Sequence, residues 1–178
     1  MSELIDCYET KFAEHSHHVG DLAASIAKEL KLDSTFIEAL RFAACLHDIG
    51  KIAIPEKILE QASALSKTQR KIVEAHTTIG AKLLSNTANT ELELAKEIVL
   101  SHHEHWDGTG YPQGLAAEQI PLSGRITAVA DVFDALTSNR PYRCALPVDT
   151  AIEMICAAQG THFDPIVVGA FLECDYFH

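Results

Sequence analysis

The sequence predicts an all-α fold, a single bundle of about seven helices. Three observations carry that expectation. Apolar residues recur at helical spacing through most of the chain. Strand-type alternation survives over only a few residues at a time. Capping and breaking residues fall at the ends of the periodic segments. The chain has 178 residues, within the roughly 100–200 expected of one domain. It shows no repeat, low-complexity tract or linker, so residues 1–178 read as a single domain, large enough to bury a core without disulfides.

The first helix is expected over Phe12 to Leu30, with Val19, Leu22, Ala23, Ile26, Ala27 and Leu30 on one face. Asp33 or Ser34 caps a second helix that runs through Phe36, Leu40, Phe42 and Ala43 into the pair His47-Asp48. Gly50 and Pro55 end it. Ser66 precedes a third helix through Ile72, His76, Ile79 and Leu83, and Glu91 to His103 forms a fourth. Trp106 to Pro121 is loop, marked by Gly108, Gly110, Pro112, Gly114 and Pro121. Ser123 to Asn139 is a fifth helix. Pro147 to Ala158 and Pro165 to Cys174 complete the set, each with Pro in its first turn.

Composition narrows the function classes. Formal net charge is -11, which argues against broad binding to nucleic acid polymers or acidic lipid. No apolar run approaches the ~18 residues of a membrane span, and the first residues lack the pattern of a secretory signal. The five cysteines, Cys7, Cys45, Cys144, Cys156 and Cys174, form no C-x-x-C pair, so neither a disulfide framework nor a thiolate zinc site is expected. Cys45 and Cys156 read as small core residues. A reducing cytoplasm fits.

The ten histidines carry the chemistry. His47-Asp48 offers two metal ligands from adjacent positions, and Lys51 places a positive charge one helical turn on. A metal beside a fixed cation is the minimal equipment for attack on a phosphate ester. Further hard ligands recur at one point on nearly every long helix: His15, His76, His102-His103 and Asp131. Helical bundles build metal centres in this way, from inward side chains of several helices. Seven N and O ligands exceed one tetrahedral ion and suit two ions sharing a carboxylate. Imidazole with carboxylate and no thiolate points to iron or manganese, with zinc, nickel and magnesium as alternatives.

The longer strings HDIGKIAIP (47–55), SHHEHWDGTGYP (101–112), IPLSGRITAVADVFDALTSNRPYR (120–143) and GTHFDP (160–165) resemble the HD-GYP subfamily of the HD phosphohydrolase superfamily, over about residues 10–174. That family consists of bacterial phosphodiesterases of cyclic dinucleotides, chiefly cyclic di-GMP. The resemblance implies a metal held by His15, His47, Asp48 and Asp131. It implies a second held by His76, His102 and His103, with Asp48 bridging. It places Lys51 beside the reacting phosphate and Arg140 and Arg143 on the substrate's phosphates. The triplet Gly110-Tyr111-Pro112 lines the substrate groove. Some members hold a third metal with a Glu one turn before the first His. This chain has Lys11 there, so the reading is two metals, and hydrolysis that stalls at linear pGpG before a second cut to GMP.

Other residues are weighed against plainer roles. His17 and His18 are expected to face solvent, away from His15. Glu104 is a candidate partner for a ligating imidazole, and His105 reads as surface. His162 reads as structural, and Asp164 before Pro165 as a helix cap. Trp106 and Phe133 fit either a guanine stack or the core. The rival functions are a cyclic di-GMP receptor or docking module that does not cleave, and a phosphodiesterase for another cyclic dinucleotide such as cyclic GMP-AMP. The resemblance implies work alongside a sensory or receiver domain, or a diguanylate cyclase-type partner, with no membrane contact from this chain.

Overall fold

The computed structural model describes residues 2–61, 63–85, 89–139 and 144–175, with side chains from residue 14 onward. Among these residues there are nine α-helices: α1 (Ser2–Glu29), α2 (Ser34–Ala44), α3 (Glu56–Leu59), α4 (Lys67–Glu74), α5 (His76–Leu83), α6 (Thr90–Ser101), α7 (Leu122–Thr137), α8 (Val148–Ala157) and α9 (Pro165–Leu172). Tight 3-10 segments occupy Ile49–Ala53 and Ala117–Gln119. The only β feature among the described residues is an isolated bridge between Gln159 and Phe163. No helix is long and apolar enough to cross a membrane among them.

Helix α7 lies at the centre. It packs against α1, α6, α8 and α9, while α1 also meets α2 and α9, and α2 meets α6. Ile126, Val129, Ala130 and Phe133 of α7 are buried against Leu22 and Ile26 of α1, Leu40 of α2, Ile98 of α6 and Phe171 of α9. Capping is local and legible. Asp33 accepts the Thr35 N–H, Ser66 and Gln69 form a reciprocal capping box, and Asp164 accepts the Ile166 N–H ahead of Pro165.

Three features differ from the sequence expectation by more than two residues. Helix α1 begins at Ser2 rather than Phe12; residues 2–11 contain no Gly or Pro to stop it. Helix α2 ends at Ala44 instead of continuing through Asp48. After it the backbone switches to i→i−3 bonds: His47 N–H donates to Ala44 O, Ile49 N–H to Leu46 O and Lys51 N–H to Asp48 O. This tighter winding gives His47 and Asp48 directions that a continued helix would not. The third expected helix is two, α4 and α5, broken at Ala75. There the carbonyls of Val73, Glu74 and Ala75 accept from the side chains of His76, Thr77 and Thr78, which compete with the helical ladder.

Candidate metal centre

The seven sequence-predicted ligands arrive on five elements, and the fold brings them together. His15 comes from α1, His47-Asp48 from the turn after α2, His76 from the first position of α5, His102-His103 from the end of α6, and Asp131 from the middle of α7. The approach of the 49–53 segment to α5 depends on Gly50. A Cβ there would overlap the His76 carbonyl and lie 2.6 Å from Gly80 N. Only glycine lets the two backbones meet closely enough for Asp48 to face His76.

Asp48 stands between two groups of imidazoles. Its Oδ2 is 3.3 Å from His47 Nε2, and its Oδ1 is 3.3 Å from His76 Nε2 and 3.9 Å from His102 Nε2. One set of mutually close donor atoms comprises Asp48, His76, His102 and His103, and a second comprises His15, His47 and Asp48. Asp131 Oδ1 closes the second set, 3.3 Å from His15 Nε2 and 3.8 Å from His47 Nε2.

The donor set fits divalent cations on an independent observation. His47 Nδ1–H donates to Ala44 O at 2.7 Å, His76 Nδ1–H to Val73 O at 2.6 Å and His102 Nδ1–H to Ile98 O at 3.0 Å. Each bond leaves Nε2 as a bare lone pair. These three Nε2 atoms and Asp48 Oδ1 are buried without a hydrogen-bond partner. Converging acceptors with no donor are costly, and a cation resolves the cost.

The ionisation states suit that role. Burial opposes charge on Asp48, but Lys51 and His47 outweigh it and hold its carboxyl well below the usual range. Burial also opposes charge on Asp131, and His15 and His47 likewise keep it ionised. Burial lowers His76, His102 and His103, with neighbouring imidazoles adding to the effect, and His102 falls to about 4. At His15 burial works the other way from Asp131 and Asp134, and the carboxylates prevail, raising it to about 9. Asp48, Asp131, His76, His102 and His103 are thus anionic or neutral at pH 7, the forms that ligate metals, whereas at His47 burial is outweighed by Asp48 and Asp131, which raise it.

Two residues around the set differ from the sequence reading. Asp134, which sequence reasoning missed, accepts from His15 Nδ1 at 2.6 Å and from His18 Nδ1 at 3.1 Å. It lies one turn beyond Asp131 on α7, so the i, i+3 relation was its only signal. His18 is exposed as expected, yet it is tied to this carboxylate, and His17 is exposed. Among the described residues Glu104 makes no bond to an imidazole. It is buried and accepts backbone N–H groups of Gln113 and Leu115.

Lys51 is paired with Asp48 at the mouth of the centre. Tyr111 stacks on His103, with ring centroids 4.8 Å apart, across a cis Tyr111-Pro112 bond. Burial, then Asp48 and Glu74, pushes the Tyr111 phenol well above its ordinary range, so it stays protonated. Gly110 is half-buried and Pro112 exposed. Phe133 belongs to the core against Phe171, and Trp106 lies under the Arg125 guanidinium. His105 packs on His162, which stacks on Phe163. Cys45 and Cys156 are only half-buried. Arg140 and Arg143, and the side chain of Lys11 in α1, lie outside the described residues.

Residues 1–167 match the family model of the HD domain. A cyclic di-GMP phosphodiesterase of Thermotoga maritima is 45% identical over 161 residues, covering 90% of this chain and 44% of that protein. A 3'3'-cGAMP-specific phosphodiesterase of Vibrio cholerae is 37% identical over 173 residues, covering 97% of this chain and 33% of that protein. The chain therefore spans less than half the length of these relatives. An HDG"Y"P protein from Bdellovibrio bacteriovorus shares the fold, with TM-score 0.72 and 19% identity over 90% of this chain and 51% of that one. The chain belongs to the HD-domain family, and its motifs are those of the HD-GYP type.

Proposed function

We propose that this chain is a metal-dependent phosphodiesterase that hydrolyses cyclic di-GMP to linear pGpG. The observation that carries the reading is Asp48, whose two carboxylate oxygens face two separate groups of lone-pair imidazoles. The names of the relatives support the substrate class. His15, His47, Asp48 and Asp131 would hold one divalent ion. Asp48, His76, His102 and His103 would hold the other. All-N/O ligation with many imidazoles favours iron or manganese. Such a pair supplies an activated water and positive charge against the phosphoryl oxygens.

The chain's own groups do the rest. Lys51 sits beside Asp48 with its side chain 28% exposed, where an incoming phosphate can take it as a counter-charge. Tyr111, fixed on His103 and protonated, offers a hydrogen-bond donor on the side of the loop, and is not a base. Gly110 and Pro112 shape that loop, and Arg140 and Arg143 are proposed to hold the substrate's phosphates. The proposed setting is the bacterial cytoplasm, with a sensory or receiver domain or a diguanylate cyclase as partner.

The test is turnover of cyclic di-GMP and cyclic GMP-AMP by protein purified anaerobically and loaded with iron(II) or manganese(II), with products separated by chromatography. Accumulation of pGpG is expected, and loss of it in Asp48→Ala. Tight binding without any cleavage by either metal form would replace the enzyme with a receptor. Preference for the mixed dinucleotide would move the chain toward its Vibrio cholerae relative.

A further inference from the structure

Glu104 is a buried carboxylate, 2% exposed, that neither the ligand set nor any helix uses. It directly follows the ligands His102 and His103. Among the described residues no lysine or arginine pairs with it. Its Oε1 accepts the Gln113 N–H at 2.7 Å and its Oε2 the Leu115 N–H at 3.0 Å. Both partners lie just past Gly110-Tyr111-Pro112. A buried carboxylate accepting two backbone N–H groups makes bonds stronger than neutral ones, and removing it leaves two backbone donors without their acceptor.

The same backbone stretch is tied to the loop three more times. Tyr111 N–H donates to His103 O at 3.1 Å. The Tyr111 ring stacks on the His103 ring. Gly110 rests on the chain so closely that a Cβ would lie 2.5 Å from both Glu104 Cα and His103 O. On its outer side the loop is held by the turn between α8 and α9, where Trp106 N–H donates to His162 O and Asp107 N–H to Thr161 O.

We propose that Glu104 is a positioning residue. It fixes the Gly110–Leu115 loop to the ligand-bearing end of α6, so that the substrate wall is preformed and keeps Tyr111 stacked on His103. The effect on substrate rests on the phosphodiesterase reading above. The effect on the loop does not.

Glu104→Gln keeps one acceptor oxygen and the side-chain length, and Glu104→Asp keeps the charge but shortens the reach. In the metal-loaded protein both variants should raise KM for cyclic di-GMP by about tenfold, with kcat within about threefold, on the scale of one charged hydrogen bond. Amide exchange at residues 111–115 should accelerate in both, in the manganese-loaded and metal-free forms alike. Exchange in α1 and α7, and the metal content, should stay as in the parent. Unchanged exchange at Gln113 and Leu115 would overturn the proposal. So would a fall in kcat at constant KM, or a uniform loss of protection across all helices. If the parent protein cleaves no cyclic dinucleotide, the substrate reading fails while the exchange measurements still decide the role of Glu104.

Discussion

Asp134 holds the proposed ligand His15 without itself belonging to the metal-facing set. It fixes His15 through Nδ1 and leaves Nε2 directed at Asp131. Burial opposes its ionisation, but His15 and then His18 keep its carboxyl below the ordinary range. Asp134→Asn should weaken binding of one divalent ion by about 10–100-fold and spare the other, following the usual size of such outer-shell losses. A manganese titration that resolves two sites would check it, and uniform weakening of both would contradict it. At this scale the sequence was informative about which metal-capable side chains converge and poor about their supports. His15, His47, Asp48, His76, His102, His103 and Asp131 announced themselves by residue type and position. Asp134 and Glu104 are ordinary acids in sequence, and only the packing of α1 on α7, or of a loop on α6, gives them partners.

Among the elements, the loop after α6 and the turn after α8 hold each other through the rings of His105 and His162. Burial, and then His105, lowers His162 to about 4. The unfolded chain would take up that proton near 6.5. Between those values the unfolded state binds the proton and the folded state does not, so stability falls as pH falls through the window and is fully present above it. Denaturation midpoints measured from pH 7 to pH 4 should therefore decline less steeply in His162→Asn than in the parent. Equal slopes would remove His162 from the account. Helix existence was readable from periodicity, but two junctions were not. The continuous pattern through Cys45 to Asp48 hid a change to i→i−3 bonding. The pattern through Ile72 to Leu83 hid the break at Ala75. Periodicity reports which face is apolar; it does not report that His76 and its two following threonines compete for backbone carbonyls.

For the whole molecule, the expected all-α bundle stands, with nine helices among the described residues where about seven were anticipated. Its candidate ligands come from four helices and a turn, so the ions it would bind connect segments from α1 to α7. Binding to the folded state alone stabilises by about 4 kcal/mol at a thousandfold excess over Kd. Chelation should accordingly lower the thermal midpoint by several degrees, on the order of 2–4 °C per kcal/mol for a domain of this size. Asp48→Ala, which faces both groups of imidazoles, should show almost no response to chelator. A chelator-insensitive parent protein would mean that the centre contributes nothing to holding the bundle together.

The anchoring of His47, His76 and His102 has a genetic consequence. Their orienting partners are main-chain oxygens of Ala44, Val73 and Ile98, atoms that every amino acid possesses. No side-chain replacement at those three places can delete the partner. The orientation of the ligands is thereby shielded from point mutation, and lineages carrying this centre are free to vary Ala44, Val73 and Ile98 for packing alone. Saturation libraries at those positions should retain metal binding wherever they retain the fold.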